Sequence, residues 1–265
     1  MLGKLLKYEF RATGRTFLPF LGALLLVSGI SRLFGEISAR GQNESMTTEI
    51  LYVVGIVISS LLIMAVLVVT FMLMIQRFRK NLLGDEGYLM LTLPVSHDSL
   101  IFGKLIVSVV WMIASALVVA AAVAIMAMVD FKEIWNGIKY IFELIIDVDI
   151  ANGLTIALII IAVILALMQT VLTFYMSLSL SMLANHRRGL ATVGFYILYM
   201  IAAQIVSTIG IRILRTIDLG DLLRDMTATT ASNLFLLGLI IVALVSSAIV
   251  YVITRFMLKR KLNLE

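Results

Sequence analysis

The sequence predicts an all-α integral membrane protein with six transmembrane helices, a short N-terminal amphipathic interfacial helix, and both termini in the cytoplasm. Three observations predict this fold: six long apolar stretches, charge that alternates between the connecting segments, and a basic amphipathic segment before the first stretch. Hydrophobic residues make up 62% of the 265 residues, and the mean hydropathy is +1.09. These values exclude a soluble globular domain.

The six apolar stretches have no charged residue at their centres. Each supplies the roughly 20 residues that a helix needs to cross a hydrocarbon core about 30 Å thick. Because lipid offers no hydrogen-bond partner to the backbone, stretches of this length favour helices over the strands of a barrel. Within a single transmembrane domain covering residues 1–265, we predict spans at residues 17–34, 50–75, 100–129, 154–183, 190–211 and 234–254.

The segments that connect the spans alternate between basic and acidic. The basic set of segments holds 14 of the 21 Lys and Arg residues and 5 of the 16 Asp and Glu residues. The acidic set holds the other 7 Lys and Arg residues and the other 11 Asp and Glu residues. The basic set comprises the N-terminal tail, residues 76–99 with Lys104, residues 184–189 and the tail from Arg255, and the acidic set comprises residues near 32–49, 130–150 and 212–231. This is the positive-inside pattern, which predicts cytoplasmic termini. The net charge of +5 therefore reflects topology and contact with membrane lipids, and no nucleic acid partner is expected.

The N-terminal segment, residues 1–16, is amphipathic. Its apolar side chains recur at helical spacing, and its basic side chains fall elsewhere around the helix. The apolar set is Leu2, Leu5, Leu6 and Phe10. We expect this segment to lie in the inner headgroup layer before the chain turns into the bilayer.

Small residues repeat along the third span, where Ser108, Ser115 and Ala122 are spaced by seven residues. Small side chains let helix backbones approach closely, so this pattern favours helix packing over a pore lining.

Polar residues inside the spans are few, and none of those at the span centres is charged. The most polar are Gln169, Thr170, Thr173 and Gln204. A charge at mid-membrane costs at least about 2.5 kcal/mol and is kept where it has a task, so its absence disfavours an ion-coupled carrier. We expect these four residues to form interhelical hydrogen bonds, with a lining of the transport pathway as the alternative.

Patterns typical of enzymes and metal sites are absent from the sequence. It has no H-E-x-x-H motif, no phosphate-binding G-x-x-x-x-G-K-[ST] loop and no cysteine, and its two histidines, His97 and His186, lie in inner loops beside charged residues. We therefore predict a protein that is not an enzyme and that binds no metal or cofactor itself.

The most informative local pattern lies between the second and third spans, in QRFRKNLLGDEGYLMLTLPVSHDSLIFGK. Apolar residues follow Asp85 and Glu86, Pro94 ends that run, and Ser96 can cap the third span with Asp98 in its first turn. An apolar patch in an aqueous loop needs a cover, which is either the bilayer surface or a soluble partner.

This loop resembles the coupling loop of type-2 ATP-binding-cassette (ABC) permeases. The matching residues are Glu86, Gly87, Leu89, Leu93, Pro94, Val95 and Ser96. The opening MLGKLLKYEFRATGRTFLP is similar to the basic N-terminus of permeases from Gram-positive bacteria in that family.

The resemblance implies a permease subunit in the bacterial cytoplasmic membrane, assembled as two permeases with two ATPase subunits that bind ATP and Mg²⁺. The second permease is another copy or a paralogue. Glu86 would be the polar anchor for the ATPase subunit, Leu89, Met90 and Leu93 the apolar anchors, and Gly87 and Pro94 would belong to the same site. The N-terminal helix would also press on the ATPase. The alternatives are an ion-coupled or passive carrier of small apolar solutes and a non-transport membrane scaffold.

Overall fold

A computed structural model describes residues 2–39, 46–83, 96–127, 132–133, 135–137, 139, 150–184, 187–216 and 227–260. Over these residues the regular secondary structure is helical and contains no strand, which confirms the predicted all-helical class.

The described residues form six long helices. They are α1 (Leu2–Ala39), α2 (Met46–Phe78), α3 (His97–Met126), α4 (Ile150–Ser181), α5 (Arg188–Thr216) and α6 (Ala228–Arg260), and a π-helical turn, Arg79–Leu83, continues α2. Each of the six is long and apolar enough to cross a membrane, so the prediction of six such helices is confirmed. The chain is a multi-pass membrane protein.

Two helices begin at the hydroxyl caps that their sequences offer. The Ser96 hydroxyl accepts a hydrogen bond from the Ser99 backbone N–H at 3.3 Å, as predicted for the start of α3. At the start of α6, the Thr227 hydroxyl likewise accepts a hydrogen bond from the Thr230 backbone N–H. A side-chain oxygen at this position satisfies a backbone donor that has no partner within the helix.

The N-terminal segment continues α1 without a break, which corrects the expectation of a separate short helix. The 38 residues of α1 have a length of about 57 Å, more than the 40–45 Å of a bilayer with its headgroups. Pro19 therefore lies in the interior of a helix rather than in a first turn. The segment stays in line with the span because its side chains pack on α3, as described below.

The contacts divide the chain into two compact units. Unit 1 contains Met1–Gln76 and Leu100–Phe142, and unit 2 contains Arg77–Ser99 and Glu143–Glu265. The described residues at the two ends of the segment that joins α2 to α3, the π-helical turn Arg79–Leu83 and residues 96–99, thus belong to the unit formed by the second half of the chain.

Unit 1 has an apolar core where α1, α2 and α3 meet. Its buried members are Leu21, Leu24, Val66 and Ala122, surrounded by the partly buried Leu25, Leu62, Ile63, Trp111, Val118 and Val119. The small residues predicted to pack on the third span, Ser108, Ser115 and Ala122, are all buried. Because lipid tails are as apolar as these side chains, close van der Waals contact and hydrogen bonds hold such helices together.

Hydroxyl groups connect the helices of unit 1. Thr70 of α2 and Ser115 of α3 share a hydrogen bond of 3.0 Å, and Ser31 of α1 lies 3.5 Å from Ser59 of α2. Gly55 allows the second contact, because a Cβ at this position would collide with the Ser31 side chain and lie 3.3 Å from the Ser31 Cα.

Unit 2 is organised around α4, which packs against α5 and α6. The last three turns of α4 are buried almost all round, and Tyr175 is only 1% exposed. Within the apolar window Arg188–Arg212 of α5, by contrast, no residue is buried. An apolar helix surface of this kind is suited to lipid.

Two polar contacts show that α4 and α6 run parallel. Thr155 donates to Asn233 at 2.6 Å, and Gln169 accepts a hydrogen bond from Ser247. The second contact lies 14 residues after the first on both α4 and α6, so the two helices keep a constant register over two heptads. Such a spacing is typical of left-handed helix packing in bundles.

We predict that Gly55→Ala destabilises the contact between α1 and α2. An added Cβ would lie 3.0 Å from the Cβ of Ser31 and 3.3 Å from its Cα, which is backbone and cannot move aside cheaply. Overpacking of this kind costs about 1–3 kcal/mol. The apparent melting temperature of the purified protein in detergent measures the effect.

Gly29→Ala in α1 is the matched control, because nothing lies within 4 Å of its added Cβ. It should leave the melting temperature unchanged or raise it, since Ala stabilises a helix relative to Gly by about 1 kcal/mol. Equal effects of the two substitutions would contradict the close approach at Gly55.

Candidate functional site

The predicted partner-coupling residues lie outside the described part of the chain. They are Glu86, Gly87, Leu89, Met90, Leu93 and Pro94. The structure does describe the two ends of their segment, which are the end of α2 with its π-helical turn and the start of α3. These ends show to which helices the candidate site is attached.

The first end is held by an aromatic stack. The ring of Phe78, the last residue of α2, lies 3.9 Å from the ring of Tyr175 on α4, at an interplanar angle of 12°. Both side chains are fully buried, and the π-helical turn that follows also buries Leu82 and Leu83. Two large aromatic rings in contact contribute about 0.5–1.5 kcal/mol beyond the area that they bury. The entry to the segment is therefore fixed on α4.

The second end is held by a carboxylate. One oxygen of Asp98, Oδ1, accepts a hydrogen bond from the Tyr251 hydroxyl at 2.6 Å and lies 2.8 Å from Nε of Arg255. Tyr251 and Arg255 are four residues apart on α6 and so lie on the same face, one turn from each other. The sequence predicts Asp98 only as a charge near the dipole of α3, whereas in the structure it also attaches the start of α3 to α6.

The N-terminal segment presents two different faces. The basic residues Lys4, Lys7, Arg11 and Arg15 are all exposed. Leu5, Leu6 and Phe10 are partly buried, and the side chain of Leu2 lies outside the described residues. Phe10 approaches Trp111 of α3 with 6.4 Å between ring centroids, so this member of the apolar set faces a helix of unit 1.

Glu9 and Lys104 form a buried ion pair that sequence analysis missed. Lys104 Nζ lies 2.7 Å from Glu9 Oε1, and the side chains are 5% and 8% exposed. A signal for the pair does exist in the sequence. Glu9 is the only acidic residue before Glu36, and Lys104 is the only charged residue between Asp98 and Asp130. Lys104 lies near the start of an apolar helix and needs an acidic partner there, and Glu9 is the one carboxylate of the N-terminal segment that could supply it.

Aromatic and hydroxyl contacts continue this junction between α1 and α3. The Thr13 hydroxyl donates to the Glu9 carbonyl at 2.7 Å and accepts from the indole N–H of Trp111 at 2.8 Å. Phe17 stacks on the same indole with 4.6 Å between centroids. Polar and apolar contacts together thus hold the first turns of α1 against α3, which explains why the N-terminal segment continues the helix.

Gln169 connects the three helices of unit 2. Its amide nitrogen donates to the Tyr199 hydroxyl of α5 at 2.5 Å, and its amide oxygen accepts from Ser247 of α6. Both polar ends of the side chain are therefore used between helices. The Gln169 side chain therefore connects α4 with α5 and α6, as expected for an interhelical hydrogen bond.

The other three members of the predicted polar set, Thr170, Thr173 and Gln204, do not form such links. The hydroxyls of Thr170 and Thr173 donate to the carbonyls of Ala166 and Gln169 within α4. Gln204 on α5 is exposed, and its backbone carbonyl accepts bonds from neighbouring hydroxyls of the same helix. The structure thus does not bring these residues together with Gln169 into one polar site.

Over the described residues, no group of three or more His, Cys, Asp or Glu side chains is placed to hold a metal ion. Comparisons with protein-family models, curated proteins and solved structures found no match. The functional interpretation therefore depends on the residues themselves and on their contacts.

We expect Lys104→Met to destabilise the protein strongly, because the Glu9 carboxylate would lose its ammonium partner while it remains buried. Removal of one member of a buried pair costs about 3–5 kcal/mol, whereas replacement of both by apolar residues is often neutral. The double variant Glu9→Met/Lys104→Met should therefore recover most of the lost melting temperature.

Arg32→Gln serves as the control for loss of a charge. It breaks a more exposed ion pair with Glu36 one turn away on α1, and a pair of this type contributes only about 0.3–0.5 kcal/mol. If Lys104→Met melts no lower than Arg32→Gln, the ion pair is not buried in the folded protein.

Gln169→Leu should lower the stability by about 1–2 kcal/mol, because hydrogen bonds to two neighbouring helices are lost. Thr170→Val, which removes only a bond within α4, should have a smaller effect on the melting temperature. Transport lost at unchanged stability would instead assign Gln169 to the pathway.

Proposed function

We propose that this chain is the membrane-spanning permease subunit of an ATP-driven exporter of the type-2 ABC kind. The observation that carries the proposal is the order of Glu86, Gly87, Leu89 and Pro94 in the segment between α2 and α3 of a six-helix membrane protein. ATP hydrolysis takes place on a separate subunit, which binds ATP and Mg²⁺. This chain supplies the path across the membrane.

The distribution of charge supports the orientation that this function requires. The basic segments include the N-terminal tail, the segment between α2 and α3, and the C-terminal tail. With these on the cytoplasmic side of a bacterial plasma membrane, the coupling segment faces the compartment that holds ATP. The exposed basic face of the first turns of α1 then lies beside anionic lipid headgroups and the ATPase subunit.

The attachment of the coupling segment supports a mechanical role. A loop that receives force must be held at both ends, and this one is held by a buried stack at Phe78 and by the Asp98 carboxylate. In the proposed complex, Glu86 is the polar contact with the ATPase, and Leu89, Met90 and Leu93 fill an apolar groove on it. Gly87 and Pro94 shape the same segment. The pathway forms between two permease subunits, which are identical or paralogous.

An ion-coupled carrier is the second candidate, and the buried pair of Glu9 and Lys104 is the observation that favours it. Ionisable residues inside membrane proteins often belong to ion pathways. Both members of this pair lie near the beginnings of their helices, however, so the pair does not form a relay across the membrane. Accumulation of a solute by the purified chain alone in vesicles, without ATP, would establish the carrier and overturn the exporter.

The proposal predicts that Glu86→Ala and Leu89→Asp each reduce co-purification with the proposed ATP-binding subunit by about tenfold or more. Interface residues of this kind contribute about 2 kcal/mol or more when they are central to a contact. Co-expression with the tagged chain, followed by affinity purification, measures the loss, and the amount of chain in the membrane fraction shows that insertion is intact.

Two matched controls test the position of the contact. Glu133→Ala removes an exposed acid that the charge pattern assigns to the opposite side of the membrane, and Leu183→Asp alters an exposed leucine next to α5. Both should retain the ATPase subunit. Binding that survives Glu86→Ala and Leu89→Asp would place the contact elsewhere, and an unaltered chain that binds no ATPase would overturn the proposed function.

A further inference from the structure

We propose that a groove between the end of α4 and the start of α5 binds an anionic phospholipid, with an acyl chain in the groove and the phosphate at Arg187 and Arg188. All residues of this site belong to unit 2, and none belongs to the segment between α2 and α3. The site therefore stands whether or not the chain is the permease of an ABC exporter.

The groove is lined by apolar residues and has a volume of about 360 Å³. Its lining residues are Ala184, just after the end of α4, and Ala191, Gly194, Phe195 and Leu198 in the first turns of α5. Leu198 is 65% exposed, and nothing lies within 4 Å of a Cβ added at Gly194. The groove thus faces outward and has room in it, and its side chains offer no hydrogen bond to a polar ligand. A hydrocarbon chain suits such a surface.

The length of the apolar stripe matches one leaflet of a membrane. Ala191, Leu198 and Ala202 lie on one face of α5, because they are separated by seven and four residues. Ala202 is exposed and continues the face beyond the groove. Ala191 to Ala202 is a rise of about 16 Å. Half of a hydrocarbon core of roughly 30 Å is about 15 Å, so one acyl chain can lie along the whole stripe.

Two arginines stand at the end of the stripe that the charge pattern predicts to be cytoplasmic. The Ala191 N–H donates to the Arg187 carbonyl at 3.2 Å, so Arg187 lies one turn before Ala191, and Arg188 is the first residue of α5. Both are exposed, and neither forms an ion pair or a side-chain hydrogen bond with the described residues. The sequence has no Asp or Glu between Asp149 and Asp218 that could serve as a local partner.

The backbone of Arg187 also indicates a task for its side chain. Its φ of 57° lies in the left-handed region, and it is the only residue with a Cβ in that region over the described part of the chain. A Cβ is disfavoured in this conformation, and glycine adopts it without strain. An arginine at such a position costs stability, so its charge is the feature that the position retains.

The combination of groove and arginines selects the ligand. A guanidinium group binds phosphate through paired, charge-assisted hydrogen bonds, and basic residues at the inner membrane surface attract anionic lipids. A free phosphate ion would use the arginines and leave the groove uncovered. A zwitterionic lipid would bring an ammonium group beside two positive charges. An anionic phospholipid satisfies both parts of the site.

The experiment titrates the purified full chain, in a nonionic detergent, with phosphatidylglycerol. Native mass spectrometry gives the dissociation constant of the retained lipid. Phosphatidylcholine has the acyl chains without the net charge, and glycerol phosphate has the charged group without the chains. We expect each to bind about tenfold more weakly or worse. Equal binding of phosphatidylcholine would overturn the role of the arginines, and equal binding of glycerol phosphate would overturn the role of the groove.

The double variant Arg187→Gln/Arg188→Gln should weaken phosphatidylglycerol binding by about thirtyfold, since each basic residue near an anionic surface contributes about a factor of five. Lys4→Gln/Lys7→Gln is the matched control. It removes the same charge from two exposed residues of α1 and should leave the dissociation constant unchanged. Equal losses in the two double variants would show attraction to the overall positive charge and would overturn the site.

Gly194→Leu tests the groove itself. The leucine side chain projects into the space beside Gly194 and should weaken phosphatidylglycerol binding by about tenfold, at a melting temperature close to that of the unaltered chain. Gly238→Leu places the same side chain on an exposed part of α6 with nothing within 4 Å, and it should bind normally. Binding that survives Gly194→Leu in the folded protein would place the lipid elsewhere.

Arg187→Gly separates binding from stability. Glycine relieves the left-handed backbone, so the melting temperature without lipid should stay the same or rise, whereas the affinity for phosphatidylglycerol should fall about fivefold. This variant also decides the question if Gly194→Leu does not fold. A lower melting temperature with unchanged affinity would make Arg187 a structural residue and would overturn the proposal.

Discussion

The hydrocarbon core of a membrane can neither accept nor donate a hydrogen bond, and the structure of this chain depends on that constraint. Backbone groups are satisfied within helices, and most serines and threonines of the described helices donate to a carbonyl three or four residues earlier in the same helix. No buried side-chain nitrogen or oxygen in the described residues lacks a partner. The remaining polar groups are therefore free to hold helices together at a few specific points.

Those points organise each unit differently. In unit 1 the junction of Glu9 and Lys104, continued by Thr13 and Trp111, holds the N-terminal turns of α1 against α3. In unit 2 the contacts of Gln169 with Tyr199 and Ser247 connect α4 with both of its neighbours. Apolar side chains gain little free energy by leaving lipid, so apolar packing alone does not determine how two helices align. The polar contacts fix that alignment.

The features that depend on composition and local order follow from the sequence. The six helices follow from apolar length, the start of α3 from Ser96, and the burial of Ser115 and Ala122 from their spacing. The continuity of α1 through residue 16 was not predicted, because the amphipathic pattern of residues 1–16 fits an interfacial helix equally well. The contacts with Trp111 distinguish the two, and these join residues that are nearly a hundred positions apart.

Three features can be recognised from the sequence alone: that the chain spans a membrane, that it contains six long apolar helices over the described residues, and which segment carries the motif that suggests a partner. All of these are set by local hydrophobicity, charge and turn residues. The helices that contact the ends of that segment are known only from the three-dimensional contacts, since Tyr175, Tyr251 and Arg255 are distant in sequence and carry no local signal. Apolar helix surfaces pack on one another with little preference. The specific pairing of helices is set by the few buried charges, amides and aromatic rings that require a particular contact.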